Sequence, residues 1–525
     1  MLDNKTIMIQ GTASDVGKSL ITTAFCRIFS RQNFKVAPFK SWNMSLNSFV
    51  TPDGGEIGIA QALQAAAAGI KPTVDMQPIL VKPRGEGSSQ IILRGKPIGN
   101  IDNRKKASYL KRALTNIKKS LNKLRQKNDI VVMEGAGSPV EINVKKWDLA
   151  NMKVAKMFNS PVIVVADIDR GGALASLVGT VSLMEPEERK LVQGFIINRF
   201  RGDIDLLKSG IEFLEEYTQI PVLGVIPYFK NINLPKEDSA SLSRGNSKSD
   251  STSTDKDIKI GVINLPHLSN FTDFLPLASE KDVNLIYINQ VKQMKNLDLI
   301  ILPGSKSTTG DLKYLKDKGF ADKIKELSKK KIPVLGICAG YQMMGEMLSD
   351  PYHTEGETER IKGLGILPVA TRFLPEKTTH QIKAKITGQA SLLRGIEGEE
   401  IEGYEIHMGN SNNIHLESIN NKENNKLFTI CSRSGEKTNI NDGIVAADGL
   451  HFGTYIHGLF NNDNLRKQFL ENIRQLKGLS PIDRNYTFNQ GLTADYDKLA
   501  DVVVDNMYWE KLKNNNTLDK IFARF

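Results

Sequence analysis

Thr6-Ile7-Met8-Ile9-Gln10 is a short apolar run that ends in Gly11-Thr12-Ala13-Ser14-Asp15-Val16-Gly17-Lys18-Ser19. The chain then continues with Leu20, Ile21, Ala24, Phe25, Ile28 and Phe29 at helical spacing. A strand that stops at a glycine-bearing loop and restarts as a helix at Gly17-Lys18-Ser19 leaves few folds open. Backbone N–H groups of the loop and the helix N-terminus converge on one point and suit an anion. The lysine reaches terminal phosphates, and the serine hydroxyl can hold Mg²⁺. Five residues separate Gly11 from Gly17, one more than in the commonest form of this loop. Gly11, Thr12, Asp15, Val16, Gly17, Lys18 and Ser19 are therefore the nucleotide-binding candidates, with ATP and Mg²⁺ as the expected ligands.

Further apolar runs predict strands at 36–39, 130–134, 161–167, 194–198 and 222–226, with helical stretches between them. These runs are continuous rather than alternating, as in a parallel sheet covered on both faces. The pattern is doubly wound α/β. At 525 residues the chain is long for a single core, so more than one domain is expected. Composition changes abruptly from Lys236 to Asp257, where Ser239–Thr254 holds almost no apolar residue and reads as a flexible linker. A second α/β unit opens at 258–265 and continues through 285–288, 297–302 and 332–337. The expected division is a nucleotide domain over 1–235, a linker over 236–257 and a second domain over 258–525. The helical tail from Tyr496 to Phe525 is expected to pack on that second domain.

The second chemical signal lies in Val334-Leu335-Gly336-Ile337-Cys338-Ala339-Gly340-Tyr341-Gln342. Small neighbours let a strand turn sharply into a helix and present the thiol, whose thiolate gains from the helix N-terminus. The N–H of Ala339 would face an oxyanion, and Pro303-Gly304-Ser305 could supply a second N–H through Gly304 or Ser305. The base should be a histidine reached through the fold. His457, in Tyr455-Ile456-His457-Gly458, has the best context, with His407 as runner-up. The other cysteines, Cys26 and Cys431, are too scattered for a disulfide framework or a zinc site. Cys26 falls in the apolar pattern of the first helix and reads as core.

Other polar residues end strands near the phosphate loop. Glu134, before Gly135-Ala136-Gly137, is placed to bind Mg²⁺, and Asp53 is a second metal candidate. Asn198 is a candidate for reading the adenine edge. Lys40, Asn43, Ser45 and Asn47 form a polar cluster beyond a strand end and are the substrate candidates.

A net charge of +11 would permit nucleic-acid binding, but the lysines of 105–127 and 323–331 read as solvated helix faces. No interleaved aromatics accompany them, so nucleic acid is not expected as a partner. No run of 18 apolar residues predicts a membrane span. The first residues lack the features of a signal peptide, and a cytoplasmic location is expected.

With these residues in view, the chain resembles the cobyric acid synthases, glutamine-dependent amidases of cobalamin biosynthesis. The resemblance rests on Gln10–Ser19, Asn43-Met44-Ser45-Leu46-Asn47-Ser48, Thr51–Gly58, Ala60–Ala65 and Asp167–Gly172. It continues in Leu302–Lys306, Gly336–Gln342, Gly403–Gly409 and Tyr455–Gly458. It implies an ATP-dependent domain like that of dethiobiotin synthetase, followed by a class I glutamine amidotransferase domain. Cys338 would attack glutamine, the nitrogen donor, with His457 moving the proton. The ammonia would displace phosphate from an acyl phosphate of a corrinoid substrate, at side chains b, d, e and g of (adenosyl)cobyrinic acid a,c-diamide. His457 is followed by Gly458 and Leu459, unlike the His-x-Glu of many class I amidotransferases, which leaves Glu405 as the candidate orienter of the base. Trp42 stands where a smaller polar residue is expected.

The nearest rival is cobyrinic acid a,c-diamide synthase, with the same chemistry on an earlier corrinoid; Asn43–Ser48 argues against it. A CTP synthase would carry His-x-Glu. A ParA/MinD-like switch ATPase would carry an extra lysine early in the loop, where Thr12 and Ala13 stand.

Overall fold

The computed structural model describes residues 5–84, 88–100, 106–229, 232, 234, 258–355, 358–413, 425–515 and 517–522. The chain forms two compact units. The first comprises Met1–Ser45, Ile57–Leu234 and Leu492–Phe525; the second comprises Leu46–Glu56 and Pro235–Gly491. The linker expected at 236–257 lies outside the described residues.

The first unit is built on a six-stranded sheet in the order Val222–Pro227, Val192–Phe200, Val162–Asp167, Thr6–Gly11, Ile130–Glu134 and Val36–Phe39. Every neighbouring pair is parallel. Thr6–Gly11 and Val162–Asp167 are buried along their whole length, which explains their unbroken apolar runs. The helix Lys18–Arg31 buries Ile21, Ala24, Phe25, Cys26, Ile28 and Phe29 against the sheet. Cys26 is core as expected, and burial pushes its thiol well above the ordinary range.

The tail departs from expectation. It belongs to the first unit, and the helix Phe488–Asp505 packs Leu499, Ala500 and Val503 into the core that holds Phe25 and Phe29. Phe522 lies 6.0 Å from the Phe25 ring and 5.4 Å from the Phe29 ring. Arg27 donates two hydrogen bonds to Asp497, at 2.8 and 2.9 Å. The apolar face of the tail thus matches an outer helix of the first unit, a pairing that proximity in sequence does not reveal.

The second unit carries an eleven-stranded sheet. Val283–Ile288, Ile258–Ile263, Leu299–Leu302, Val334–Ile337 and Phe452–Thr454 run parallel. From there the sheet continues antiparallel through Glu436–Val445, Lys426–Arg433 and Val369–Ile386, which also pairs with Glu400–Asn413. Gly403–Gly409 is part of this last strand.

Candidate functional site

The strand Val334–Ile337 ends at Cys338, which takes φ 52° and ψ −109° before the helix Ala339–Met344 begins. A non-glycine residue with positive φ in a fully packed turn is strained, and such strain collects at reactive positions. Two contacts hold it there. The Cys338 N–H donates to the Thr454 carbonyl at 2.8 Å, and Gln342 N–H returns to the Cys338 carbonyl at 3.1 Å. Gly340 is forced by proximity: a Cβ there would stand 1.8 Å from the Leu302 carbonyl oxygen. The short helix is therefore pressed onto the neighbouring strand, with Ala339 as its first residue.

His457 is buried beside this thiol. Its Nδ1 shares a 2.6 Å hydrogen bond with Asp273 Oδ2, while Asp273 Oδ1 accepts Gly458 N–H at 2.9 Å. Among the described residues no hydrogen bond reaches His457 Nε2, which leaves that nitrogen on the side of the thiol. Burial opposes protonation of His457, but the Asp273 carboxylate and then Cys338 overcome it and lift its pKa to about 10. The ring of Tyr404 stacks on His457, with centroids 5.1 Å apart and planes 13° apart. Gly304 is brought to the same place: a Cβ on it would lie 3.4 Å from His457 Cε1.

The residue set against His457 is therefore Asp273, which sequence reasoning missed, and not the expected Glu405. Glu405 accepts two hydrogen bonds from Arg433, at 2.8 and 2.9 Å. His407, the runner-up base, lies in a strand, stacks on Tyr455 at 3.9 Å and uses Nδ1 on the Gly409 carbonyl at 2.8 Å. The signal for Asp273 was faint: one acid inside Phe271-Thr272-Asp273-Phe274-Leu275, where burying a carboxylate demands a partner. A cavity of about 730 Å³ adjoins this region, lined among others by Tyr341, Glu405, His407, Gly409, Arg433 and Tyr455.

In the first unit the loop after Thr6–Gly11 closes on itself. Lys18 Nζ donates to the carbonyls of Ala13 at 2.7 Å and Gly137 at 3.1 Å. Gly17 takes φ 102°, and a Cβ there would lie 2.0 Å from Asn198 Nδ2. Asn198 is fully buried and donates to the Val16 carbonyl at 2.8 Å, so it braces the loop. Its Oδ1 has no partner. Asp15 faces two arginines, Arg170 at 2.6 Å and Arg199 at 3.2 Å.

Glu134 is the hub of this site. It accepts from Ser19 Oγ at 2.9 Å, Lys40 Nζ at 2.8 Å and Gln64 Nε2 at 2.5 Å. The structure therefore unites a metal candidate with a substrate candidate and adds Gln64. Asn43 approaches Gln61 at 3.5 Å, and Asn43 and Ser45 are buried. Asp53 belongs to the second unit, where it accepts the Thr51 hydroxyl at 2.5 Å; Asn47 belongs there too and is buried. Among the described residues no three or more His, Cys, Asp or Glu side chains gather as a metal cage. Among them also, no helix is long and apolar enough to cross a membrane.

A buried Cys–His–Asp relay and a phosphate loop in one chain define a nucleotide-dependent glutamine amidotransferase. Family models agree: residues 7–242 match the CobQ/CobB/MinD/ParA nucleotide binding domain, and residues 259–465 match the CobB/CobQ-like glutamine amidotransferase domain. The chain is 48% identical over 476 residues to a cobyric acid synthase of Moorella thermoacetica, covering 90% of each chain. It is 46% identical to one of Dehalococcoides mccartyi (strain CBDB1), covering 97% of this chain and 98% of that one. With one of Thermoanaerobacter sp. (strain X514) it shares 45%, covering 96% and 97%. The chain belongs to the cobyric acid synthase family, and it is a carbon–nitrogen ligase with glutamine as the nitrogen donor.

Proposed function

We propose that this chain amidates carboxylates b, d, e and g of (adenosyl)cobyrinic acid a,c-diamide, a corrinoid, to give (adenosyl)cobyric acid, using ATP and glutamine. The observation that carries the reading is the relay from Asp273 through His457 to a thiol held on a strained turn. It occurs in a chain that also bears the Gly11–Ser19 loop.

In the glutaminase step, Cys338 Sγ attacks the side-chain amide carbon of glutamine with the thiol proton carried on His457 Nε2. The oxyanion is held by the N–H groups of Ala339 and Gly304. Collapse expels ammonia, which takes the proton back from His457, and water then cleaves the γ-glutamyl thioester to glutamate. Asp273 fixes the tautomer and stabilises the imidazolium, the role an acid plays in such triads.

In the ligase step, a substrate carboxylate takes the γ-phosphoryl group of ATP, giving ADP and an acyl phosphate. Ammonia then displaces phosphate to leave the amide. Such a transfer depends on positioning and charge neutralisation, supplied by Lys18 and the loop N–H groups. Asn198 Oδ1, which accepts no hydrogen bond among the described residues, is an acceptor suited to an exocyclic amino group such as that of adenine. Lys40, Asn43, Ser45 and Asn47 are the residues proposed to meet the substrate.

Ser19 and Glu134 would hold Mg²⁺. Ser19 Oγ lies 2.9 Å from Glu134 Oε1, so a hydroxyl and a carboxylate oxygen, the donors a hard cation takes, stand side by side. The ion would neutralise charge on the transferring phosphates.

Mass spectrometry of the products tests this reading. Four added amides are expected on the a,c-diamide with ATP and glutamine. Cys338→Ala should lose the glutamine-driven reaction and keep the one driven by added ammonium. Two amides added to cobyrinic acid, with none on the a,c-diamide, would favour the earlier synthase.

A further inference from the structure

Residues 46–56 lie within the family match to the nucleotide binding domain, and both flanks return to the first unit. Yet they pack as part of the second. Val50 is fully buried with Tyr404 and Ile406, and the Phe49 ring lies 5.7 Å from that of Tyr404. Tyr404 OH donates to the Ser48 carbonyl at 3.4 Å. Thr379 Oγ1 donates to the Gly54 carbonyl at 2.9 Å, and Gln381 donates to that of Val50. Glu56 is fully buried, paired with Lys377 at 2.5 Å and accepting from Ser48 Oγ at 2.8 Å. Removing either partner of this buried pair would leave an uncompensated charge.

The residues it grips are those that orient the base. Tyr404 stacks on His457. Ser48 N–H donates to Asn270 Oδ1 at 2.9 Å, and Asn270 is held at φ 54° at the start of the turn Phe271–Phe274 that carries Asp273. Asn270 also accepts Asp273 N–H through its carbonyl at 3.1 Å. One segment therefore bears on both sides of the His457–Asp273 pair. Its flanks belong to the first unit. Lys40, just before it, and Gln64, just after it, both donate to the Glu134 carboxylate.

We propose that residues 46–56 are a positioning element for the glutaminase. Phe49 and Ser48, through Tyr404 and Asn270, hold His457 and Asp273 in register. This rests on the thiol relay described above but not on the identity of the corrinoid.

The test is Phe49→Ala in the full chain, with Phe49→Tyr as the conservative control. Glutamine hydrolysis should fall about tenfold or more in kcat, as small displacements of reacting groups do, with KM for glutamine within about twofold. Amidation driven by added ammonium should stay near wild type, and Phe49→Tyr should restore hydrolysis. Unchanged hydrolysis in Phe49→Ala overturns the proposal. So does a parallel loss of both nitrogen sources with a lowered melting temperature, which marks a merely structural contact. If wild type hydrolyses glutamine but adds no nitrogen to any corrinoid, the proposed substrate fails, while the hydrolysis arm still decides the role of Phe49.

Discussion

Each unit places its reactive group beyond the C-terminal end of a parallel strand, but the two treat polar groups in opposite ways. In the nucleotide-binding unit the charged side chains hold one another. Lys18 spans two backbone carbonyls, and Glu134 gathers Ser19, Lys40 and Gln64. In the amidotransferase unit each group is aligned in one direction. Asp273 takes one nitrogen of His457 and leaves the other, and the strained Cys338 backbone aims the thiol. Phosphoryl transfer works through charges rearranged around a large anion. Thioester chemistry needs one proton path fixed beforehand.

Separability is the strongest test of that contrast. Lys18→Ala is expected to lower ATP-dependent amidation by at least about 10²-fold with glutamine or with ammonium, by analogy with the loss of other charge-stabilising groups. Basal glutamine hydrolysis should persist. A variant that loses basal hydrolysis as well would break the division of labour.

Asp273→Asn comes next. In the Ser–His–Asp template the same exchange keeps the geometry and lowers kcat about 10⁴-fold through the wrong tautomer; here about 10²-fold or more is expected for hydrolysis, with ammonium-driven amidation retained. The pH profile sharpens the test. The folded pKa of His457 is raised to about 10, so the stability its charge contributes is fully present below about 6.5 and lost as pH rises through about 10. Removing the Asp273 charge should move the alkaline limb of hydrolysis to lower pH. An unmoved limb would mean that another group sets it.

Legibility differed between the units for physical reasons. The phosphate loop, Cys338 and His457 each sit where a buried parallel strand ends, and both the apolar run and the turn residues show in sequence. Asp273 carries no such mark, because its partner lies 184 positions away and its own turn is a short helical piece. The antiparallel half of the second sheet was also obscure. Val369–Ile386 alternates unevenly between buried and exposed positions and holds Pro375, Glu376 and Lys377 mid-strand. Glu56 hid a different fact: its buried partner, Lys377, is 321 positions distant.

A smaller effect comes from Asp442, whose carboxylate takes the Thr454 hydroxyl and the Tyr455 N–H. Burial raises its pKa to about 6, against those hydrogen bonds. Because the folded state holds the proton more tightly than the unfolded chain, ionisation costs stability as pH rises from about 4 to 6, on the order of 3 kcal/mol. Asp442→Asn should remove that slope, so the variant gains on wild type between pH 4 and 7 in thermal melts. Parallel melting curves across that range would show that Asp442 is not the source.

The smallest expected change concerns the tail, where the contrast between charge and packing recurs inside one unit. Arg27 and Asp497 form a two-pronged pair, but Asp497 is more than a third exposed, so solvent screens it. Arg27→Ala should cost about 1 kcal/mol or less and lose much of that effect in high salt. The same tail buries Leu499, Val503 and Phe522 among Phe25 and Phe29. Truncating a buried aromatic costs about 3–5 kcal/mol, so Phe522→Ala should exceed the ionic change severalfold in urea unfolding. Equal losses from the two variants would mean that the ion pair, rather than the apolar face, fastens the last helices to the nucleotide-binding unit.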